Sequence, residues 1–129
     1  MEKNPFKGLS APRRGRALPK VLSAEEAVQL LEAPEKMVGV LKNDSVIRRA
    51  WKQYAGVRDR AILELLYSTG MRVHELVELR ESQLDLLGGS ARVRGKGKKE
   101  RLCPLGSYAL EALRVAMEAR GSVAVEQGW

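Results

Sequence analysis

Residues 58–106 read RDRAILELLYSTGMRVHELVELRESQLDLLGGSARVRGKGKKERLCPLG, and the change of period along this stretch decides the fold. Over 58–69 the apolar residues recur at helical spacing. Ile62, Leu65 and Leu66 share one face with Ala61 beside them, as on a buried helix. Gly70 stands where a helix C-terminus favours a residue free to take positive φ. A short helix is expected over about 73–79, with Val73, Leu76 and Val77 pointing inward. Residues 80–87 form a turn ending in the apolar pair Leu86–Leu87. Gly88–Gly89 then breaks the pattern, and 90–94 alternates, Ala91 and Val93 on one face, Arg92 and Arg94 on the other. That is a strand. Gly95 and Gly97 mark a turn, and 100–105 returns as a second strand, stopped by Pro104 and Gly106. The class is α+β and mostly helical: several packed helices with a small antiparallel β-hairpin or sheet.

Working outward, Ser23 and Glu26 have the spacing of a capping box that opens a helix. Ala27, Leu30 and Leu31 form its apolar stripe, and Pro34 is expected to end it. Residues 35–56 read as a second helix with Val46–Ile47 and Trp51–Tyr54 on one face. On the C-terminal side, Ser107 is expected to cap a last helix whose stripe is Leu110, Leu113 and Met117 and whose end is Gly121. Pro5, Pro12 and Pro19, with Gly8 and Gly15, mark 1–20 as a basic linker or arm. The expected organisation is arm 1–20, domain 21–120 and tail 121–129.

The chain has 129 residues, enough for one domain, and 44% hydrophobic residues, enough to bury a core. Its formal net charge is +7, which suggests a polyanionic partner. That charge is local. Residues 1–20 hold six Lys/Arg against one acid, and 92–101 again hold six against one. A single cysteine, Cys103, cannot form an internal disulfide and fits a reducing cytosolic compartment. No Cys/His cluster has metal-ligand spacing, so no metal or other cofactor is expected. No apolar run approaches the roughly 20 residues that cross a bilayer, so no membrane partner is expected either.

Two segments suit chemistry on phosphate. In Thr69-Gly70-Met71-Arg72-Val73-His74-Glu75-Leu76, Arg72 follows a glycine turn at a helix start and can aim a planar fork of donors at a phosphate. Glu75, one helical turn on, can hold that guanidinium or tune the site. The same spacing also suits an ordinary exposed ion pair worth a few tenths of a kcal/mol. In Val93-Arg94-Gly95-Lys96-Gly97-Lys98-Lys99-Glu100-Arg101, a hairpin tip is both basic and glycine-rich, open to close approach by a ligand backbone. A solvated basic turn has the same composition. Arg13, Arg14 and Arg16 in the arm, with Arg94, Lys98, Lys99 and Arg101 in the hairpin, are candidate DNA contacts.

Taken in order, the helix before TGxR, the RxxEL turn, the LDL segment, the RVRGKGKKER hairpin and the PLG before a helix resemble the first half of the catalytic domain of tyrosine recombinases, the phage integrase and Xer-like family. The resemblance covers roughly residues 18–120. It implies a site-specific recombinase or integrase that breaks and rejoins double-stranded DNA through a phosphotyrosine, without metal or ATP, with full-length relatives assembling as tetramers on DNA. It implies a cytoplasmic, nucleoid-associated location. It matches Arg72 to the arginine that holds the non-bridging oxygens, Glu75 to an accessory acid, and Lys96 to the lysine that protonates the leaving 5′-oxygen. The pattern departs from the family in lacking the later His-x-x-Arg motif and the nucleophilic tyrosine. His74, the one histidine, stands where the family often has serine, and Tyr54, Tyr67 and Tyr108 all precede the nucleophile's place. The expectation is therefore a truncated catalytic domain that binds DNA but is inactive in cleavage alone, so enzymatic activity is left open. The alternative is a small basic, non-catalytic DNA-binding or regulatory module of helix-turn-helix type, for which RAILELLYSTGMRVHELVELR has the pattern. An RNA-binding protein would explain the charge but not Arg72 and Lys96 in this order.

Overall fold

The computed structural model describes Pro5, Lys7, Gly8, Ser10, Pro12, Gly15, residues 20–39 and residues 43–126. The candidate contacts Arg13, Arg14 and Arg16, and Trp129, lie outside the described residues. Among the described residues, four helices and a small sheet follow in the order α1 (Ala24–Lys36), α2 (Val46–Thr69), α3 (Val73–Glu78), β1 (Leu84–Asp85), β2 (Ser90–Arg94), β3 (Glu100–Pro104) and α4 (Ser107–Glu126). The strands are antiparallel in the order β1-β2-β3.

The capping box at the start of α1 forms as read. The Ser23 Oγ accepts from the Glu26 amide at 3.1 Å, and Glu26 Oε2 accepts from the Ser23 amide at 2.8 Å. Pro34 does not end α1, which runs on to Lys36. Pro34 removes one helical donor, its own, and the helix continues past it, with the Met37 amide still bonding the Ala33 carbonyl at 2.9 Å. Across from it, Gly56 of α2 lets the two helices touch. A Cβ at Gly56 would come within 2.5 Å of Val38 Cγ2 and 3.3 Å of the Pro34 carbonyl oxygen. The ion pair Arg60–Glu35, 2.9 Å, ties the same pair of helices.

The two helices expected over 35–56 and 58–69 are one. α2 spans 24 residues, about 36 Å at 1.5 Å per residue. Ser45 caps its start, its Oγ accepting from the Arg48 amide at 3.2 Å. Just before it, buried Asp44 takes Lys52 at 2.7 Å, and Lys52 also donates to the Gly39 carbonyl at 2.8 Å. α2 packs against both α4 and α1.

The core gathers Ala61 and Leu65 from α2, Met71 from the turn after it, Ala91 and Val93 from β2, Cys103 from β3, Leu105, and Ala112, Leu113 and Ala116 from α4. Ala91 and Val93 are fully buried, as the alternation of 90–94 requires. Leu110 packs against this core at its margin. The small residues Ala109, Ala112 and Ala116, rather than the Leu110–Met117 stripe alone, let α4 approach. Ser107 does not cap α4 but is its first residue, with Gly106 before it accepting from the Leu110 amide, and the helix passes through Gly121 to bury Val123. Gly121 thus sits inside the helix, where burial of Val123 two residues on offsets its weak helix propensity, about 1 kcal/mol against alanine.

Two inward assignments are corrected. Val73 and Val77 are 66% and 76% exposed, and only Leu76 of α3 reaches the core. A helix of six residues presents one narrow face, and Leu76 shares it with Glu75. Of the pair Leu86–Leu87, Leu86 packs inward and Leu87 is 97% exposed. The Asp85 carboxylate accepts from the Gly88 amide at 2.7 Å and closes that turn with Leu87 at its outer side.

Candidate active site

The turn between α2 and α3 sets the direction of Arg72. Gly70 adopts φ 64°, ψ 19°, and its amide makes the last bond of α2, to the Leu66 carbonyl at 2.9 Å. The Thr69 hydroxyl donates to the Leu65 carbonyl at 2.7 Å and accepts from the Met71 amide at 3.2 Å. Met71 is buried, so the turn is pinned on both sides. The backbone of Arg72 is extended, and its side chain, 79% exposed, projects into solvent.

Glu75 sits behind it, only 6% exposed. One carboxylate oxygen accepts from the Arg72 amide at 2.8 Å. Both oxygens are also taken by Arg101 of β3, Nη1 to Oε1 and Nη2 to Oε2, each at 2.8 Å. The Arg72 guanidinium is farther off, 4.0 Å from Oε1. The Arg101 fork, then the Arg72 amide, hold the Glu75 carboxyl down at about 2 against an ordinary 4.5. Glu75 in turn raises the Arg101 guanidinium. Charge-assisted bidentate pairs of this geometry are among the stronger polar contacts in proteins.

The hairpin supplies the other wall. β2 and β3 pair in register from Ser90↔Pro104 to Arg94↔Glu100, and the Gly95 amide bonds the Lys99 carbonyl at 2.8 Å. A single helical turn over Lys96–Lys98 crosses the tip, with Gly97 at φ 79°, a conformation that suits glycine. Lys96 and Lys99 are exposed there.

Between the two walls lies a cleft of about 440 Å³. α3 contributes His74, Glu75 and Glu78 behind Arg72, and the hairpin contributes Arg94, Gly95 and Lys96. His74 and Glu78 pair with each other at 3.3 Å. Arg101 balances Glu75, so Arg72, Arg94 and Lys96 leave the cleft positive, as an anionic ligand requires. No tyrosine lines it. Tyr67 and Tyr108 border a different, mostly apolar groove between α1, α2 and the start of α4. Among the described residues no group of His, Cys, Asp and Glu could hold a metal ion, and no helix is long and apolar enough to cross a membrane.

The structure thus brings Arg72, Glu75, Lys96 and Arg94 to one place. It turns Arg101, read from the sequence as a DNA contact, toward Glu75 instead. The signal for this was present. Arg101 pairs across the hairpin with Val93, and Cys103 pairs with Ala91, so Arg101 lies on the buried face of the sheet. A cation on that face needs an acid, and Glu75 is the acid within reach. The helix-turn-helix alternative fares poorly here. Its second helix would be α3, which has six residues and turns a buried carboxylate toward the sheet.

Comparison with known proteins adds a family to this geometry. The family model described as the phage integrase family matches residues 20–129. The tyrosine recombinase XerC of Xylella fastidiosa (strain M23) is 45% identical over 111 residues, which are 86% of this chain and 32% of that protein. The tyrosine recombinase XerC of Pseudomonas aeruginosa (strain LESB58) is 42% identical over 125 residues, 97% of this chain and 36% of the relative. The chain spans about a third of the length of these curated relatives. Among solved structures, the XerA recombinase superposes with a TM-score of 0.61 at 32% identity, over 88% of this chain and 34% of that one. The XerH site-specific recombinase, bound to a palindromic difH substrate in a post-cleavage complex, superposes with a TM-score of 0.57 at 28% identity, over 84% of this chain and 28% of that one.

Proposed function

The chain belongs to the phage integrase family, and on that premise we propose that it is part of the catalytic domain of a site-specific tyrosine recombinase, contacting duplex DNA through the Arg72–Lys96 cleft. The observation that carries the reading is the convergence of Arg72 and Lys96, from separate segments, on one positive cleft with Glu75 at its back. Arg72 would hold the non-bridging oxygens of a scissile phosphate, where charge grows in the transition state. Lys96, at the exposed hairpin tip, would protonate the leaving 5′-oxygen. Arg94, Lys98 and Lys99, with Arg13, Arg14 and Arg16 of the arm, would follow the neighbouring phosphates. The arm would be residues 1–20, the partial domain 21–120 and the tail 121–129. The working location is the cytoplasm, on the nucleoid, and the working assembly a tetramer on DNA. The relative solved with its DNA substrate supports the choice of partner.

Strand cleavage is not expected of this chain alone, because no tyrosine faces the cleft. Fluorescence anisotropy with labelled duplex DNA tests the binding. Weak binding with little sequence preference is expected, with log affinity falling linearly against log salt by about 0.9 for each phosphate contacted. Arg72→Ala should lower that slope by about one contact. Absence of binding at about 50 mM salt would remove the nucleic-acid role. A covalent adduct with a suicide substrate, seen on a denaturing gel, would show that one of Tyr54, Tyr67 and Tyr108 is the nucleophile after all.

A further inference from the structure

We infer that Arg101 is a positioning residue: through its two-pronged grip on Glu75 it fixes the start of α3 against the base of the hairpin, and so sets the spacing between Arg72 and Lys96. The inference rests on the cleft reading above and goes beyond it in giving Arg101 a task other than touching DNA.

Three observations carry it. The first is the side on which Arg101 emerges. Its partner across the hairpin is Val93, fully buried, so the side chain starts toward the interior and not toward a ligand outside. The second is the geometry of the grip. Both terminal nitrogens of Arg101 meet both oxygens of Glu75 at 2.8 Å, while the same carboxylate accepts the Arg72 amide. One acid therefore joins the residue that begins the first wall of the cleft to a strand of the second. The third is the floor of the hairpin turn. A Cβ on Gly95 would sit 3.5 Å from Arg101 Nη1 and 3.6 Å from Glu75 Oε1. Gly95 thus lies directly against the pair, and Lys96 is the next residue.

The competing task for Arg101 is a phosphate contact, which its half-exposed side chain would permit. Energetics decide against it. Glu75 is 6% exposed with Arg101 in place, and if Arg101 left for a phosphate the carboxylate would keep only the Arg72 amide and a cation 4.0 Å away. Leaving a buried carboxylate without its hydrogen-bonded cation is strongly unfavourable. Lysine cannot substitute, because a single ammonium lacks the planar fork that meets two oxygens at once.

The test uses the full chain with spin labels on His74→Cys and Lys99→Cys in a Cys103→Ala background, and reads the distance distribution between α3 and the hairpin. A narrow distribution is expected in the parent. Arg101→Lys and Glu75→Gln should each broaden it, and Arg72→Ala should not. A residue that merely stabilises would lower the melting temperature and leave the distribution narrow, and that result overturns the inference. Should the variants fail to fold, the unsubstituted chain still answers. Nuclear magnetic resonance of its arginine side chains should show separate, slowly exchanging Nη signals for Arg101, unchanged when short duplex DNA is added. Averaged signals, or signals that move on to a DNA-bound position, overturn it. Failure of DNA to bind with the Arg101 signals intact would refute the proposed function and leave this pair standing.

Discussion

Replacing Gly70 with alanine isolates the turn that aims Arg72. Gly70 holds φ 64°, ψ 19° at the end of α2, and a Cβ built there meets nothing within 4 Å. The cost of a side chain is therefore purely one of backbone conformation. An L-residue in the left-handed region costs roughly 1–2 kcal/mol. Alanine recovers about 0.4–1 kcal/mol because it restricts the unfolded chain. The balance is a destabilisation of about 1 kcal/mol, or about 3–5 °C in melting temperature for a chain of this size. Asparagine, which tolerates this region, should cost less than alanine, and valine, whose branched Cβ suits it worst, should cost more. Thermal melts followed by circular dichroism give the order Gly, Asn, Ala, Val. If helix propensity ruled at this position, alanine would instead stabilise by about 1 kcal/mol. An alanine or valine variant that melts no lower than the parent would refute the left-handed cap as the determinant of the turn.

Two further outcomes are expected. Leu65→Ala, at a position 4% exposed between α2, the sheet and α4, should lose about 2–5 kcal/mol in urea unfolding with an unchanged m-value. For Glu75 the folded carboxyl lies at about 2, below its ordinary 4.5, so its stabilising effect is complete above pH 4.5 and is lost as pH falls toward 2. Glu75→Gln should therefore lower the melting temperature at neutral pH and give a shallower acid limb than the parent, read by melts across that window.

The strand pattern was legible because a hairpin in register writes its burial in plain alternation: Ala91 and Val93 on one side, Arg92 and Arg94 on the other. Gly70 was legible for the same reason of local chemistry, since the end of α2 needs positive φ. The continuity of α2 was not. The helices read over 35–56 and 58–69 meet at Gly56, whose role is to admit the backbone of α1, a tertiary fact. Pro34 misled because a proline removes a single helical donor and the chain can stay helical past it, as it does to Lys36. In the site, Arg72, Glu75 and Lys96 were named from motif and resemblance, and the structure brings all three to one cleft. The bond of Arg101 to Glu75 was not legible, because charge was counted before strand face. The parity that hides Cys103 also turns Arg101 inward.

The contact between Glu75 and Arg101 joins positions 26 apart in sequence, and the next tie outward, the Gly106 amide on the Ser68 hydroxyl at 2.8 Å, joins positions 38 apart. The chain that builds both walls of the cleft is thus one uninterrupted loop, closed at its neck twice over. Loop closure grows only slowly more costly with length, about 0.6 kcal/mol for each doubling, and the hairpin inside shortens the distance still to be closed. The folding kinetics of the cleft should accordingly be set by local events, hairpin formation and the winding of α3, and not by the arrival of α1. Assembly of the site is in this sense a problem confined to residues 68–106.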